Sequence, residues 1–373
     1  MYRALYSLVL SRLPAESAHK LTLASLKALQ SHAEGDILLQ KWAPKSVDKR
    51  LSVSIFGHTL PHPVGIAAGL DKNAEIVKSL ALMGASSIEV GTVTPVAQPG
   101  NEGTRVWRLP KQYALINALG FPSEGIEAVI PRLSAALKTD RSLLGINIGK
   151  NKGTSIEDAW RDYVSGVKRL GALGDYLTIN ISSPNTRDLR TLQREQHLDH
   201  LLTCIIDQRD LSCPGKPIAL KLSFDLGRNG IEEACDIALS HKLDAIIMSN
   251  TTTDHTLADV PIDHYPGGLS GPPITTPSKK AVGIAFNHLK GRIPIIGVGG
   301  ISSAQDVIGY IRAGAQSVQL YTALVYHGPA LFSDICRGLS NEATVSEWSS
   351  FDEIRGIDAK KLSSEIDQRA HAR

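Results

Sequence analysis

A (β/α)8 barrel is the fold class this sequence predicts, and three observations predict it. Eight short apolar segments recur between residues 64 and 320, each followed by residues at helical spacing. The repeat fills roughly 250 residues, the usual size of such a barrel. Each segment also ends in Lys, Asn, Thr or Gly, at the end where these barrels carry their chemistry. An open doubly wound sheet is the alternative, but no G-x-G-x-x-G follows the first segment.

The elements in order begin with two helices. Tyr2, Leu5, Tyr6, Val9 and Leu13 fall at helical spacing until Pro14 breaks the pattern, and Ala18, Leu21, Leu26 and Leu29 continue it to about Gln30. Arg3, Arg12, Lys20 and Lys27 face a single acid, Glu16. A basic amphipathic pair can lie on an anionic membrane, and it can equally be a helical hairpin packed on the main domain. Residues 51–62 then read as a short hairpin turning near Gly57-His58.

The eight strands are placed at Val64–Ala67, Ser87–Val90, Leu144–Ile148, Tyr176–Ile179, Ile218–Leu220, Ala245–Met248, Ile293–Val298 and Ser317–Leu320. Their ends carry Asp71-Lys72, Gly91-Thr92, Asn147 to Lys152, the stretch from Asn180, Lys221, Ser249 to Thr252, Gly299-Gly300 and Tyr321-Thr322. The fourth is the densest. Asn180, Ser182, Ser183, Asn185 and Thr186 put five hydrogen-bonding side chains into seven residues. A polar turn would use such residues too. A buried strand end would have to partner each one or lose about 1–3 kcal/mol apiece.

The last two units suit a phosphate. Gly299-Gly300 lets backbone amides come close to a ligand, and a helix N-terminus is expected to follow, favouring an anion. Across the mouth, Asn117, Asn180, Asn185 and Asn250 with Lys72 suit a flat, polar, anionic heterocycle. Such a pairing suggests redox chemistry carried by a cofactor.

Composition excludes other classes. Net charge is +3 and aromatics are 5%, without a basic patch, so no nucleic acid is expected. Cys204, Cys213, Cys235 and Cys336 are far apart and form no CxxC, so no metal is expected. No hydrolase motif, signal peptide or spanning run is visible.

The motifs AAGLDK (67–72), EVGTVTP (89–95), INALGF (116–121), GINIGKNK (145–152), NISSPNT (180–186), SNTT (249–252), GGLSG (267–271), IIGVGGI (295–301) and QLYT (319–322) occur in the order found in dihydroorotate dehydrogenases. Over about residues 1–338 the chain resembles that family, most closely its class 2, quinone-dependent, membrane-associated branch.

The resemblance implies an FMN cofactor and the oxidation of (S)-dihydroorotate to orotate in pyrimidine synthesis. It implies that FMN is held by Ala68, Gly69, Leu70, Asp71, Lys72 and Thr92, by Asn147, Asn180, Lys221 and Ser249, and by Gly271, Gly300, Tyr321 and Thr322. The substrate would meet Lys72, the segment Asn117, Ala118, Leu119, Gly120 and Phe121, and Asn180, Asn185, Asn250 and Thr251. Ser183 would be the catalytic base where class 1 enzymes use cysteine. Lys221 would stabilise charge near flavin N1, or merely line the barrel. Thr186 and Phe121 would shape a water relay.

The resemblance turns the N-terminal helices into the mouth of a tunnel for ubiquinone or menaquinone, with His19 and Arg108 at the quinone. A lone helical histidine can also be structural. Residues 1–45 then form the quinone segment, 46–338 the FMN barrel and 339–373 a tail of unassigned role, either docked or disordered. A monomer attached peripherally to the cytoplasmic face of the bacterial inner membrane is expected. Two departures stand out: Ala118 where many relatives carry Arg, and Ser249 where Thr is frequent. The rival readings are a soluble class 1 enzyme using fumarate or NAD, and a flavin-binding protein without turnover.

Overall fold

The computed structural model describes residues 2–136, 142–261 and 264–364. Eight parallel strands close into one barrel: β1 (Val64–Ile66), β2 (Ser87–Val93), β3 (Leu143–Ile148), β4 (Tyr176–Asn180), β5 (Ile218–Leu222), β6 (Ala245–Met248), β7 (Ile295–Val298) and β8 (Ser317–Leu320). Each strand pairs with the next in sequence, and β8 closes on β1 with Leu320 opposite Ile66. The expected fold class is therefore found.

The strands read as near-continuous Val, Ile and Leu because both faces are covered, by the barrel interior and by the surrounding helices. β4, β5 and β6 are buried along their whole length. β7 starts two residues later than its sequence suggests. Pro294 interrupts Ile293 to Val298, since proline has no N–H for the ladder; its carbonyl still accepts from Ile246 N at 3.0 Å.

The hairpin also forms, pairing Val53–Ile55 with His58–Leu60. Phe56 and Gly57 both take positive φ, 53° and 78°, which a two-residue turn of this twist requires. Phe56 stacks on Tyr176 at 4.6 Å, so the hairpin plugs the end of the barrel opposite the mouth.

Two features were not legible. The N-terminal extension holds three helices rather than two: α1 (Tyr2–Leu8), α2 (Ala15–Leu29) and α3 (Ala33–Gln40). α3 turns back on α2 at Gly35, where a Cβ would stand 2.0 Å from the Leu29 carbonyl oxygen. A small antiparallel sheet of Val106–Leu109, Ala114–Asn117 and Gly268–Ser270 also covers one side of the mouth. Strands of three or four residues, one lying some 150 positions from its neighbour, leave no periodicity to read.

Helix Leu331–Val345 runs through the 338/339 boundary drawn from sequence. Beyond it the chain stays on the barrel through residue 364. Trp348 and Phe351 are buried against each other, and Asp358 accepts from Arg312 Nε at 2.6 Å. The last nine positions of the tail lie outside the described residues.

Candidate active site

The polar ends of the strands converge on one cavity of about 160 Å³. Its floor is a buried charge pair. Lys221, on β5, and Glu89, on β2, place Nζ and Oε1 3.9 Å apart with both side chains almost fully enclosed. Burial pulls the Lys221 ammonium below the usual lysine range, and the Glu89 carboxylate opposes that shift. Glu89 accepts four further hydrogen bonds: from Asn147 Nδ2 at 2.8 Å, Thr178 Oγ1 at 3.0 Å, Gln319 Nε2 at 3.0 Å and Tyr176 OH at 3.1 Å. A buried carboxylate is tolerated only when it is satisfied in this way.

Above the floor lies a chain of amides and hydroxyls. Thr92 Oγ1 donates to Asn147 Oδ1 at 2.6 Å, and Asn180 Nδ2 donates to both of those oxygens at 3.0 and 3.1 Å. Asn250 Nδ2 donates to Ser182 Oγ at 3.0 Å and reaches Asn180 Oδ1 at 3.3 Å. Asn185 Nδ2 donates to Asn117 Oδ1 at 2.8 Å, so these two amides lie side by side.

Ser183 is 5% exposed and its Oγ accepts from Asn185 N at 3.2 Å. Among the described residues, Asn185 Oδ1, Thr186 Oγ1 and Gln319 Oε1 are buried without a hydrogen-bond partner. Asn185 and Gln319 line this cavity, and orphaned polar atoms there mark a place for a ligand. Phe121 stands at the rim in the left-handed region, φ 54°.

The opposite rim is a glycine cradle. Gly300 has φ +69°, and a Cβ there would fall 2.0 Å from Thr275 Oγ1 and 2.7 Å from the Gly271 carbonyl oxygen. Gly271, Tyr321, Thr322 and Ser249 stand beside it. The expected helix N-terminus after β7 does not face an anion freely. Helix Ala304–Ala313 is capped by Ser303, and Asp306 accepts from Ser302 N at 3.0 Å, so a carboxylate already fills that position. Gly299-Gly300 and the start of the β8 loop line this rim of the cavity.

Most residues expected at the site lie on this cavity: Ala68, Gly69, Lys72 and Thr92; Asn117, Leu119, Gly120 and Phe121; Asn180, Ser183, Asn185 and Lys221; Ser249, Asn250 and Thr251; and the glycine rim. Four do not. Asp71 is wholly buried and accepts from Glu75 N and Ile76 N, both at 2.8 Å, so it shapes the loop rather than facing the cavity. Asn147 sits beneath Thr92, fully enclosed. Ala118 contributes backbone, its N–H donating to the Arg105 carbonyl at 2.7 Å. Leu70 faces a second cavity.

That second cavity, about 450 Å³, lies between α1, α2 and the barrel. His19 and Arg108 both line it, with Tyr2, Tyr6, Leu23 and Leu26. Burial pulls the His19 imidazole down to about 3, with the Lys72 cation adding, so it is neutral at physiological pH. Arg108 donates to the Leu13 carbonyl at 2.7 Å and the Leu10 carbonyl at 3.1 Å, fixing the turn between α1 and α2. Lys72, Tyr321, Val106, Leu115 and Leu119 line both cavities and form the wall between them.

Glu89 and Gln319 open the motifs EVGTVTP and QLYT, but the sequence assigns neither a role. A charged residue inside the apolar run Ser-Ile-Glu-Val was the available signal, because Glu is almost never fully buried unless partnered. Among the described residues no group of three or more His, Cys, Asp or Glu could hold a metal, and no helix is long and apolar enough to cross a membrane.

The dihydroorotate dehydrogenase family model matches residues 50–342. The chain belongs to the dihydroorotate dehydrogenase family. It is 40% identical over 350 residues to a dihydroorotate dehydrogenase (quinone) of Myxococcus xanthus, covering 94% of this chain and 95% of that one. It is 41% identical over 333 residues to the dihydroorotate dehydrogenase (quinone) of Delftia acidovorans, covering 87% and 94%. The crystal structure of the Eimeria tenella DHODH in complex with ferulenol matches with a TM-score of 0.81 at 34% identity, covering 92% of this chain and 95% of that chain. The ligand-free Eimeria tenella enzyme matches at 0.78 with 37% identity, covering 86% and 96%.

Proposed function

We propose that this chain oxidises (S)-dihydroorotate to orotate in the barrel mouth, with FMN as its flavin and a membrane quinone as final acceptor, as a step of de novo pyrimidine biosynthesis. One observation carries this reading. The polar cavity and the cavity under the N-terminal helices share a wall at Lys72 and Tyr321, so a flavin in the first is within reach of a quinone in the second.

The residues fit FMN. Gly300 and Gly271 line the cavity with positive φ and no space for a Cβ, which leaves bare backbone of the kind a phosphate approaches closely. Gln319 offers a buried, unsatisfied acceptor on the floor, and Lys221 a buried cation. When bound, FMN supplies the acceptor for the substrate hydride and passes the electrons to the quinone.

This chain's own groups do the rest. Asn117, Asn185 and Asn250 hold the pyrimidine ring by its carbonyls and N–H groups, and Lys72 holds its carboxylate. Ser183 Oγ takes the C5 proton. A serine hydroxyl is a weak base and needs activation. The Asn185 N–H donated to Oγ favours a negative oxygen there, and Thr186 Oγ1 has hydrogen-bonding capacity free to pass the proton on. Phe121 keeps bulk water from the ring. Lys221 stabilises charge gathering at the flavin in a site shielded from water.

Residues 1–45 serve as the quinone mouth and a peripheral membrane contact. Leu5, Leu8, Val9, Leu21 and Ile37 of this segment are exposed, an apolar surface beside the basic residues of α2. The barrel unit begins near residue 46 and includes helix Leu331–Val345, and the segment after that helix has no assigned function. A monomer on the cytoplasmic side of a bacterial inner membrane is the corresponding cellular state. Acceptor assays with liposomes test the reading. Turnover should be fast with ubiquinone or menaquinone, and the protein should bind anionic vesicles. Fast turnover with fumarate or NAD and none with quinone would overturn it.

A further inference from the structure

We infer that Arg190 is a positioning residue that locks the base-carrying loop onto the two loops following it, and that dihydroorotate binding depends on this lock. Arg190 lies seven residues past Ser183, in the 3-10 segment Leu189–Gln193. Its guanidinium uses three nitrogens on three different loops. Nε donates to the Ser182 carbonyl at 3.2 Å, in the loop after β4. Nη1 donates to Asp225 Oδ2 at 2.8 Å, in the loop after β5. Nη2 donates to the Thr251 carbonyl at 2.9 Å, in the loop after β6.

Two of the three contacts land on or beside a residue of the substrate pocket. Ser182 precedes Ser183, and its Oγ accepts from Asn250 Nδ2 at 3.0 Å. Thr251 itself lines the cavity. Asp225 is anchored from the far side, since its Oδ1 accepts from Thr252 Oγ1 at 2.7 Å. Gln193 ties the same segment to the β5 loop by accepting from Ser223 N at 3.2 Å. None of these groups enters the flavin end of the mouth.

A planar fork with fixed N–H directions can meet three acceptors at once, and an ammonium cannot reproduce that geometry. Arg190 is 26% exposed and Asp225 23%, so the lock sits at the surface and its removal leaves the barrel core intact.

The inference rests on the substrate site proposed above, and the test separates the two. Orotate and FMN dissociation constants are measured for wild type, Arg190→Ala, Arg190→Lys and Asp225→Asn, with and without added guanidinium chloride at millimolar concentration. Arg190→Ala should weaken orotate at least about tenfold while FMN affinity and melting temperature stay near wild type. Guanidinium ion should restore part of the loss, which a merely structural defect would not permit. If Arg190→Ala does not fold, Arg190→Lys carries the same test, and Asp225→Asn should show a smaller loss. Unchanged orotate affinity in Arg190→Lys, or equal losses of orotate and FMN in Arg190→Ala, would overturn the inference. Wild type that binds FMN but no orotate would instead overturn the substrate site.

Discussion

Lys221 Nζ stands 3.9 Å from Glu89 Oε1 at the bottom of the barrel mouth, each the other's buried counter-charge. The two arrive from opposite parts of the barrel, β5 and β2, and closure of the sheet is what brings them together. Breaking such a pair from one side leaves an uncompensated buried charge, which costs about 3–5 kcal/mol.

Glu89→Gln should therefore lower the unfolding free energy by about that amount, because four donors and a cation would face one amide oxygen. Lys221→Met should cost less, since Glu89 keeps its four hydrogen bonds. Urea melts of the two variants read the difference. Equal stability of Glu89→Gln and wild type would mean the pair is not formed.

Ser183→Ala removes only the proposed proton acceptor. FMN and orotate binding should persist, while flavin reduction by dihydroorotate falls roughly 10²–10⁴-fold. Rapid-mixing absorbance of the two proteins checks this; reduction at the wild-type rate would remove Ser183 from its role.

The fold was more legible than the site. Every barrel strand announced itself as an apolar run ending in polar residues, because both strand faces are buried and the chemistry sits at the tips. Periodicity could not reveal the small sheet over the mouth, where Gly268 pairs with Asn117 across 151 positions. It could not reveal Asp71 turned under its loop or Asp306 filling the helix start after β7, since both are settled by local hydrogen bonds. Motif matching spanned Glu89, the first residue of EVGTVTP, but gave it no role, because it acts from beneath the cavity rather than on its wall.

Lys72 supplies a pH dependence. Burial pulls its ammonium down to about 8, against the Asp71 carboxylate. The folded pKa lies below the ordinary lysine value, so the cation is present below about 8 and lost as pH rises through it. KM for dihydroorotate, an anion, should rise above that pH in initial-rate measurements, and Lys72→Met should abolish the rise. A KM flat to pH 10 would contradict it.

Gly300→Ala places a methyl 2.0 Å from Thr275 Oγ1 at φ +69°. The variant should lose bound flavin on gel filtration while the barrel still folds by circular dichroism. Full flavin retention would move the phosphate elsewhere.

Anaerobic stopped-flow absorbance of the flavin-loaded protein tests the central claim most directly. Adding dihydroorotate should bleach the yellow flavin in a single turnover, and a quinone mixed in afterwards should restore the colour. A protein that takes up FMN yet stays yellow with dihydroorotate, or bleaches and cannot be reoxidised by any quinone, would contradict the account.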